Sequence, residues 1–115
     1  KGVILQTIKH NVYRGADRKL LTGKQRSYLR SLANDIPAIF QIGKGGITDN
    51  VIKQFDEALE ARELVKGTVL KNSEFTAREA CEELAAALGA EIVQVIGNRF
   101  VLYRESRENK VIQLP

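Results

Sequence analysis

Gly43-Lys44-Gly45-Gly46 is the segment of this sequence whose residue types and spacing speak most directly to chemistry. It joins the end of an apolar run, Ile36 to Ile42, to a helix start marked by Thr48. Glycine tolerates positive φ and lets another backbone come close, and amides near a helix N-terminus donate to phosphate oxygens. Lys44 adds a mobile positive charge to the same turn. An architectural account stands beside this one, because the glycines also suit a tight strand-to-helix turn and Asp49 in the first helical turn already answers the helix dipole. A nucleoside-triphosphate P-loop is disfavoured: Ser or Thr would have to follow Gly43-Lys44, where Gly45 stands, and no glycine sits five residues before Gly43.

Lys24, Arg26 and Arg30 form a second cationic group. Arg26 and Arg30 are four residues apart and share a helix face, turned away from Leu29 and Leu32, and no carboxylate in that helix offsets them. A solvated face and a phosphate contact are both compatible with the pair. Catalytic groups are scarcer. The single histidine, His10, lies in an irregular stretch, and the single cysteine, Cys81, falls on the apolar side of a helix with no basic partner to make it a nucleophile. The carboxylates, Glu79, Glu82 and Glu83 among them, sit on outward helix faces as solvated surface. No catalytic residue, metal site or cofactor is expected.

The elements that must position these residues follow from periodicity and turn chemistry. Thr22 and Gln25 have capping-box spacing ahead of Tyr28, Leu29 and Leu32 on one face, which predicts a helix over 23–34. Ile36 to Ile42 is predicted as a strand with Pro37 near its start. Thr48 can cap a helix with Val51, Ile52, Phe55, Ala58 and Leu59 on its inner face and Glu57 and Glu60 outward. Leu64 to Leu70 is the next strand, and Thr76 with Glu79 opens a helix that Gly89 closes. Ile92 to Ile96 and Arg99 to Arg104 are strands joined by the hairpin signal Gly97-Asn98. The predicted order is α-β-α-β-α-β-β, an α/β chain (α+β) in which strand-helix alternation makes crossovers and the final hairpin makes a four-stranded mixed sheet.

The chain of 115 residues fits one domain that buries roughly two thirds of its unfolded surface. Hydrophobic residues at 43% and charged residues at 28% exclude a disordered chain, and one cysteine excludes a disulfide scaffold. No apolar run of membrane-spanning length and no small-residue cleavage site is present, so no membrane partner is expected and a cytoplasmic location is. The net charge of +4 is uneven: residues 1–30 carry eight basic and one acidic side chain, residues 31–98 six and eleven. Without residues 1–19 the two kinds balance at thirteen each, so an anionic partner must be argued from local clustering. Residues 1–19 lack any sustained period and are expected to be a flexible arm, natural or cloning-derived, ahead of the domain at 20–115.

Leu21-Thr22-Gly23-Lys24-Gln25-Arg26, Gln41-Ile42-Gly43-Lys44-Gly45-Gly46, Ala58-Leu59-Glu60, Glu63-Leu64-Val65-Lys66, Val93-Gln94-Val95-Ile96-Gly97 and Leu102-Tyr103-Arg104, taken in order, resemble the CRM domain family and its stand-alone bacterial YhbY-like members. The resemblance covers about 20–115. It implies a two-layer fold similar to the C-terminal domain of translation initiation factor three. It also implies a Gly-x-x-Gly loop like that of KH domains and association with large ribosomal subunit precursors; plant relatives join multi-domain splicing factors. The resulting expectation is a non-enzymatic RNA-binding protein. Its contact residues are Gly43, Lys44, Gly45 and Gly46 with Lys24, Arg26 and Arg30, and its partner is ribosomal RNA. A protein-interaction module is the alternative, provided every helix lies on one side of the sheet and leaves the other bare.

Overall fold

Thr22 opens the first helix as its side chain predicts. Its hydroxyl accepts from the Gln25 amide and the Gln25 side chain accepts from the Thr22 amide, both at 3.1 Å, in a computed structural model that describes residues 21–115. That helix, α1, runs Gly23–Ala33, and the first strand, β1, runs Ala38–Ile42. The ladder starts two residues later than predicted because Pro37 has no N–H to offer it. α2 (Asp49–Arg62) is capped by Thr48, and α3 (Ala77–Leu88) carries the second capping box and closes on Gly89 at φ 65°. β2 spans Leu64–Val69, β3 Glu91–Ile96 and β4 Arg99–Tyr103, the last two joined through Gly97 at φ 58°. Order and strand count are those expected, with ends displaced by a residue or two. The proposed arm at 1–19, His10 included, lies outside the described residues.

The sheet order is β1-β2-β4-β3, with β1 and β2 parallel and the other pairs antiparallel. Side-chain alternation divides the strands between two cores. Val65, Val69, Phe100 and Leu102 pack with α2 and α3, whereas Leu64, Val93, Val101 and Tyr103 pack with Leu29 and Ala33 of α1. β2 and β4 therefore bury apolar side chains on both faces where α1 covers them, through Leu64, Val101 and Tyr103 on its side. α2, α3 and the sheet make the two layers that the resemblance implies, and α1 adds a third over part of the opposite face. The sheet face on which the protein-interaction alternative depended is thus partly covered.

The main core is close-packed through a line of rings. Phe40 and Phe55 have centroids 4.4 Å apart, and Phe55 stacks on Phe100 at 6.0 Å. Phe100 in turn lies on Gly67 of β2, where an added Cβ would stand 2.6 Å from the ring's Cζ. Gly67 is required by that approach, a use of glycine invisible until the strands are paired.

Glu63, between α2 and β2, is fully buried and holds a positive φ of 67°. Its Oε2 accepts from the Ser106 amide at 2.8 Å, and its Oε1 accepts from the Val111 and Ile112 amides at 2.8 and 2.7 Å. Its carbonyl accepts from the Arg104 amide at 2.9 Å. Arg104, also buried, donates from Nη1 to Asp56 Oδ1 at 2.8 Å and to the Leu88 carbonyl at 3.1 Å. Glu60 lies at the surface as its periodicity suggests but is not simply solvated: it accepts from the Ser106 hydroxyl at 2.8 Å and from the Arg107 and Glu108 amides. The Ser106 hydroxyl is the main cause holding the Glu60 carboxyl below its ordinary range. These bonds strap the chain after β4 across the end of α2 and bring Ile112 and Leu114 against the α1 cluster.

Gly67→Ala should destabilise the domain by about 1–3 kcal/mol, the usual cost of overpacking a filled core. Thermal unfolding checks it, with an expected fall of roughly 4–8 °C for each kcal/mol.

Candidate nucleic-acid interface

Gly43 to Gly46 form a closed turn in which the Gly46 amide donates to the Gly43 carbonyl at 3.0 Å. Lys44 and Gly45, the two corner residues, are both exposed. The four glycine-turn positions differ in what surrounds them. A Cβ on Gly43 would make ordinary contacts with Asn72 Oδ1 and Leu70 Cδ1, each at 3.5 Å, and one on Gly46 would lie 3.3 Å from the Phe75 ring. Gly45 has nothing within 4 Å, so its backbone is open to an approaching ligand. Positive φ, at 70°, belongs to Gly46 rather than to the outer Gly45. Gly46 thus serves the turn, and Gly45 serves access.

The turn is one of three connections gathered at one end of the sheet. The Leu70 amide donates to the Ile42 carbonyl at 2.8 Å, and the Val69 amide donates to the Asn98 carbonyl at 2.7 Å. Leu70, Lys71 and Asn72 are exposed beside the glycine turn, and Arg99 is exposed at the start of β4. Lys71 and Arg99 are cations that linear reasoning passed over. Lys71 sits in a short polar connection whose nearness to Gly43 arises only from the parallel pairing of β1 with β2. Asp49 and Glu74 are also exposed nearby in sequence, so the loop end has mixed charge, with Lys44 at its tip.

Lys24, Arg26 and Arg30 are placed elsewhere. Arg26 is partly buried and donates from Nε to the Ile92 carbonyl of β3 at 3.3 Å, a tertiary bond rather than a solvated side chain. Ile92 stands at the end of β3 remote from Gly97, whereas the glycine turn leaves the far end of β1. β1 and β3 are the two edges of the sheet, three interstrand spacings or roughly 14 Å apart. The two sequence-predicted groups are therefore not one cluster. Lys24 is exposed and Arg30 partly so.

Two of the described groups suited to proton or nucleophile chemistry, Cys81 and Tyr103, are held away from it by burial. Cys81 is buried on the inner face of α3, where burial pushes its thiol up to about 12. Burial likewise pushes Tyr103 up to about 12. Among the described residues no group of three His, Cys, Asp or Glu side chains converges as a metal site would. No helix among them is long and apolar enough to cross a membrane.

An α/β domain that presents a Gly-x-x-Gly turn at the end of its sheet is the class defined by this fold and site. The chain belongs to the CRS1/YhbY (CRM) domain family, whose model matches residues 21–104. It is 54% identical over 96 residues to probable RNA-binding protein YqeI of Bacillus subtilis, covering 84% of this chain and 100% of that one. It is 35% identical over 95 residues to an RNA-binding protein of Haemophilus influenzae, covering 83% and 95%. In structure it is similar to the hypothetical protein SAV1595 of Staphylococcus aureus, a candidate RNA-binding protein solved in solution, at TM-score 0.69 and 58% identity over 84% of this chain and 100% of that one.

The contrast between Gly45 and Gly46 yields an expected outcome. Gly46→Ala should cost about 1–2 kcal/mol through its left-handed backbone, while Gly45→Ala should leave the unfolding midpoint near that of the unaltered chain. Paired thermal melts decide it.

Proposed function

We propose that this chain is a non-catalytic RNA-binding protein that acts in the cytoplasm in assembly of the large ribosomal subunit, by engaging ribosomal RNA of a precursor particle. The observation that carries the reading is the open turn at Gly43 to Gly46, where Lys44 and the unobstructed Gly45 backbone stand at the tip of a CRM domain. A sugar-phosphate backbone can reach such a turn because no side chain stands between it and the Gly45 peptide, and Lys44 supplies the charge. The names of the relatives, RNA-binding proteins in two bacteria, support RNA as the ligand. The precursor particle as the setting comes from the family resemblance. The RNA-binding unit in this proposal is the domain from residue 20 on.

Lys24, Arg26 and Arg30 enter as a secondary phosphate contact, reached by RNA that spans the sheet. Arg26 is the least free of the three because its guanidinium already holds the β3 backbone. The charge they add is read in salt dependence, since phosphate contacts release counterions and carry little base information.

Replacing Lys44 and Gly45 together by Asp should abolish binding to 23S ribosomal RNA fragments while the melt stays near the unaltered one. Lys44→Ala, which keeps every glycine, should weaken binding less. A folded double variant that binds normally would remove the turn from the interface. Lys24→Glu with Arg30→Glu should flatten the salt dependence, each lost contact lowering the slope magnitude by about 0.7 for a single strand. An unchanged slope returns this pair to ordinary surface.

A further inference from the structure

We propose that the uncovered half of the sheet face beside the glycine turn is the floor for an unpaired RNA strand, so that the turn and this shelf form one track. The proposal rests on the RNA-binding reading above and specifies which form of RNA the site takes. It begins with the strand register. Gln41 is level with Thr68, Thr68 with Arg99, and Arg99 with Ile96, so one row of side chains crosses all four strands. The neighbours of this row on three of the strands, Ile42, Val69 and Phe100, belong to the core beneath α2 and α3, and Val95 of β3 packs against it. The row therefore faces the opposite side, the side of α1.

α1 does not reach it. The α1 cluster takes Leu64, Val93, Val101 and Tyr103, which lie toward the other end of the strands. Gln41 and Arg99 are exposed, Ile96 is 63% exposed and Thr68 is half-buried, so the row lies open at the end of the sheet where the glycine turn sits. Lys66, half-buried, stands two residues before Thr68 on the same face. From Lys66 to Thr68 the shelf is about 7 Å deep, and α1 stands roughly 10 Å above the sheet behind it. Such a step admits one extended strand and stops a duplex from settling onto the floor.

The chemistry of the row fits unpaired bases. The Gln41 amide and Thr68 hydroxyl each donate and accept, as base edges do, and the Arg99 guanidinium can stack on a base or hold a phosphate. Arg99 and Lys66 are cationic, and no carboxylate belongs to the row. The exposed apolar side chains on this face are Ile96 at one edge of the row and Ile39, 38% exposed, behind Gln41 at the other, too scattered for the desolvated centre of a protein interface. Charge and continuity with the glycine turn both favour RNA as the occupant.

Fluorescence anisotropy tests this with a fluorescein-labelled 12-nucleotide RNA of mixed, non-self-complementary sequence, used alone and annealed to its complement. The unaltered chain should prefer the unpaired strand by about tenfold or more. Gln41→Ala with Thr68→Val and Arg99→Ala should lose about tenfold for that strand and leave duplex binding unchanged. Arg99→Ala alone alters only an exposed side chain and should show a smaller loss in the same direction. Equal binding of strand and duplex by the unaltered chain would overturn the proposal. So would a folded triple variant that binds the strand within twofold of normal. If Lys44→Asp with Gly45→Asp still abolishes binding in that case, the turn assignment survives without the shelf. No binding of either RNA by the unaltered chain, across low and moderate salt, overturns both.

Discussion

The buried carboxylate of Glu63 ties the chain after β4 back onto the junction of α2 and β2. An ionisable side chain with no exposure is costly unless its oxygens are satisfied, and here three backbone amides from Ser106, Val111 and Ile112 satisfy them. The consequence is long-range. The strap after β4 is drawn across the end of α2, and its apolar residues Ile112 and Leu114 join the cluster that seats α1. The Gln25 side chain of α1 also donates to the Pro115 carbonyl at 3.3 Å. Glu63 thereby helps decide where α1 lies on the sheet, and so which part of that face is left open.

That division of the sheet links packing to function. The parallel pairing of β1 with β2 and the closing hairpin bring the glycine turn, the Leu70–Asn72 connection and Arg99 to one end of the sheet. At the same end the α1-side face carries polar and cationic residues, whereas the opposite face is filled by the Phe40–Phe55–Phe100 line. The carboxylates of α3, exposed at Glu79, Glu82 and Glu83, lie on a helix covering that other face. A domain whose charges balance overall can still attract a polyanion when its cations and its acidic helix occupy different sides.

Much of this was legible because it is local. Two capping boxes, helical apolar faces, a glycine-first hairpin and a glycine-rich turn are each encoded within a few residues, and together with the family resemblance they carried element order and the candidate turn. What was not legible depends on partners far along the chain. Glu63 ends a helix rich in outward carboxylates, and nothing nearby signals that its amides come from residues 43 to 49 positions later. The Ser106 partner of Glu60, 46 residues away, is hidden for the same reason. Arg26 looked like half of a solvated pair because its acceptor, the Ile92 carbonyl, is 66 residues away. The side of the sheet taken by α1 likewise rests on distant partners, Leu64, Val93, Val101 and Tyr103, with Ile112 and Leu114 of the strap.

The most direct measurement is an amide NMR titration of the isotope-labelled chain with the unpaired 12-nucleotide RNA. The largest shifts should fall on Lys44, Gly45 and Gly46, with Lys71 next to them, and α3 should stay silent. Shifts confined to α3 or to the first turn of α1, with the Gly43 to Gly46 amides unmoved, would contradict the account.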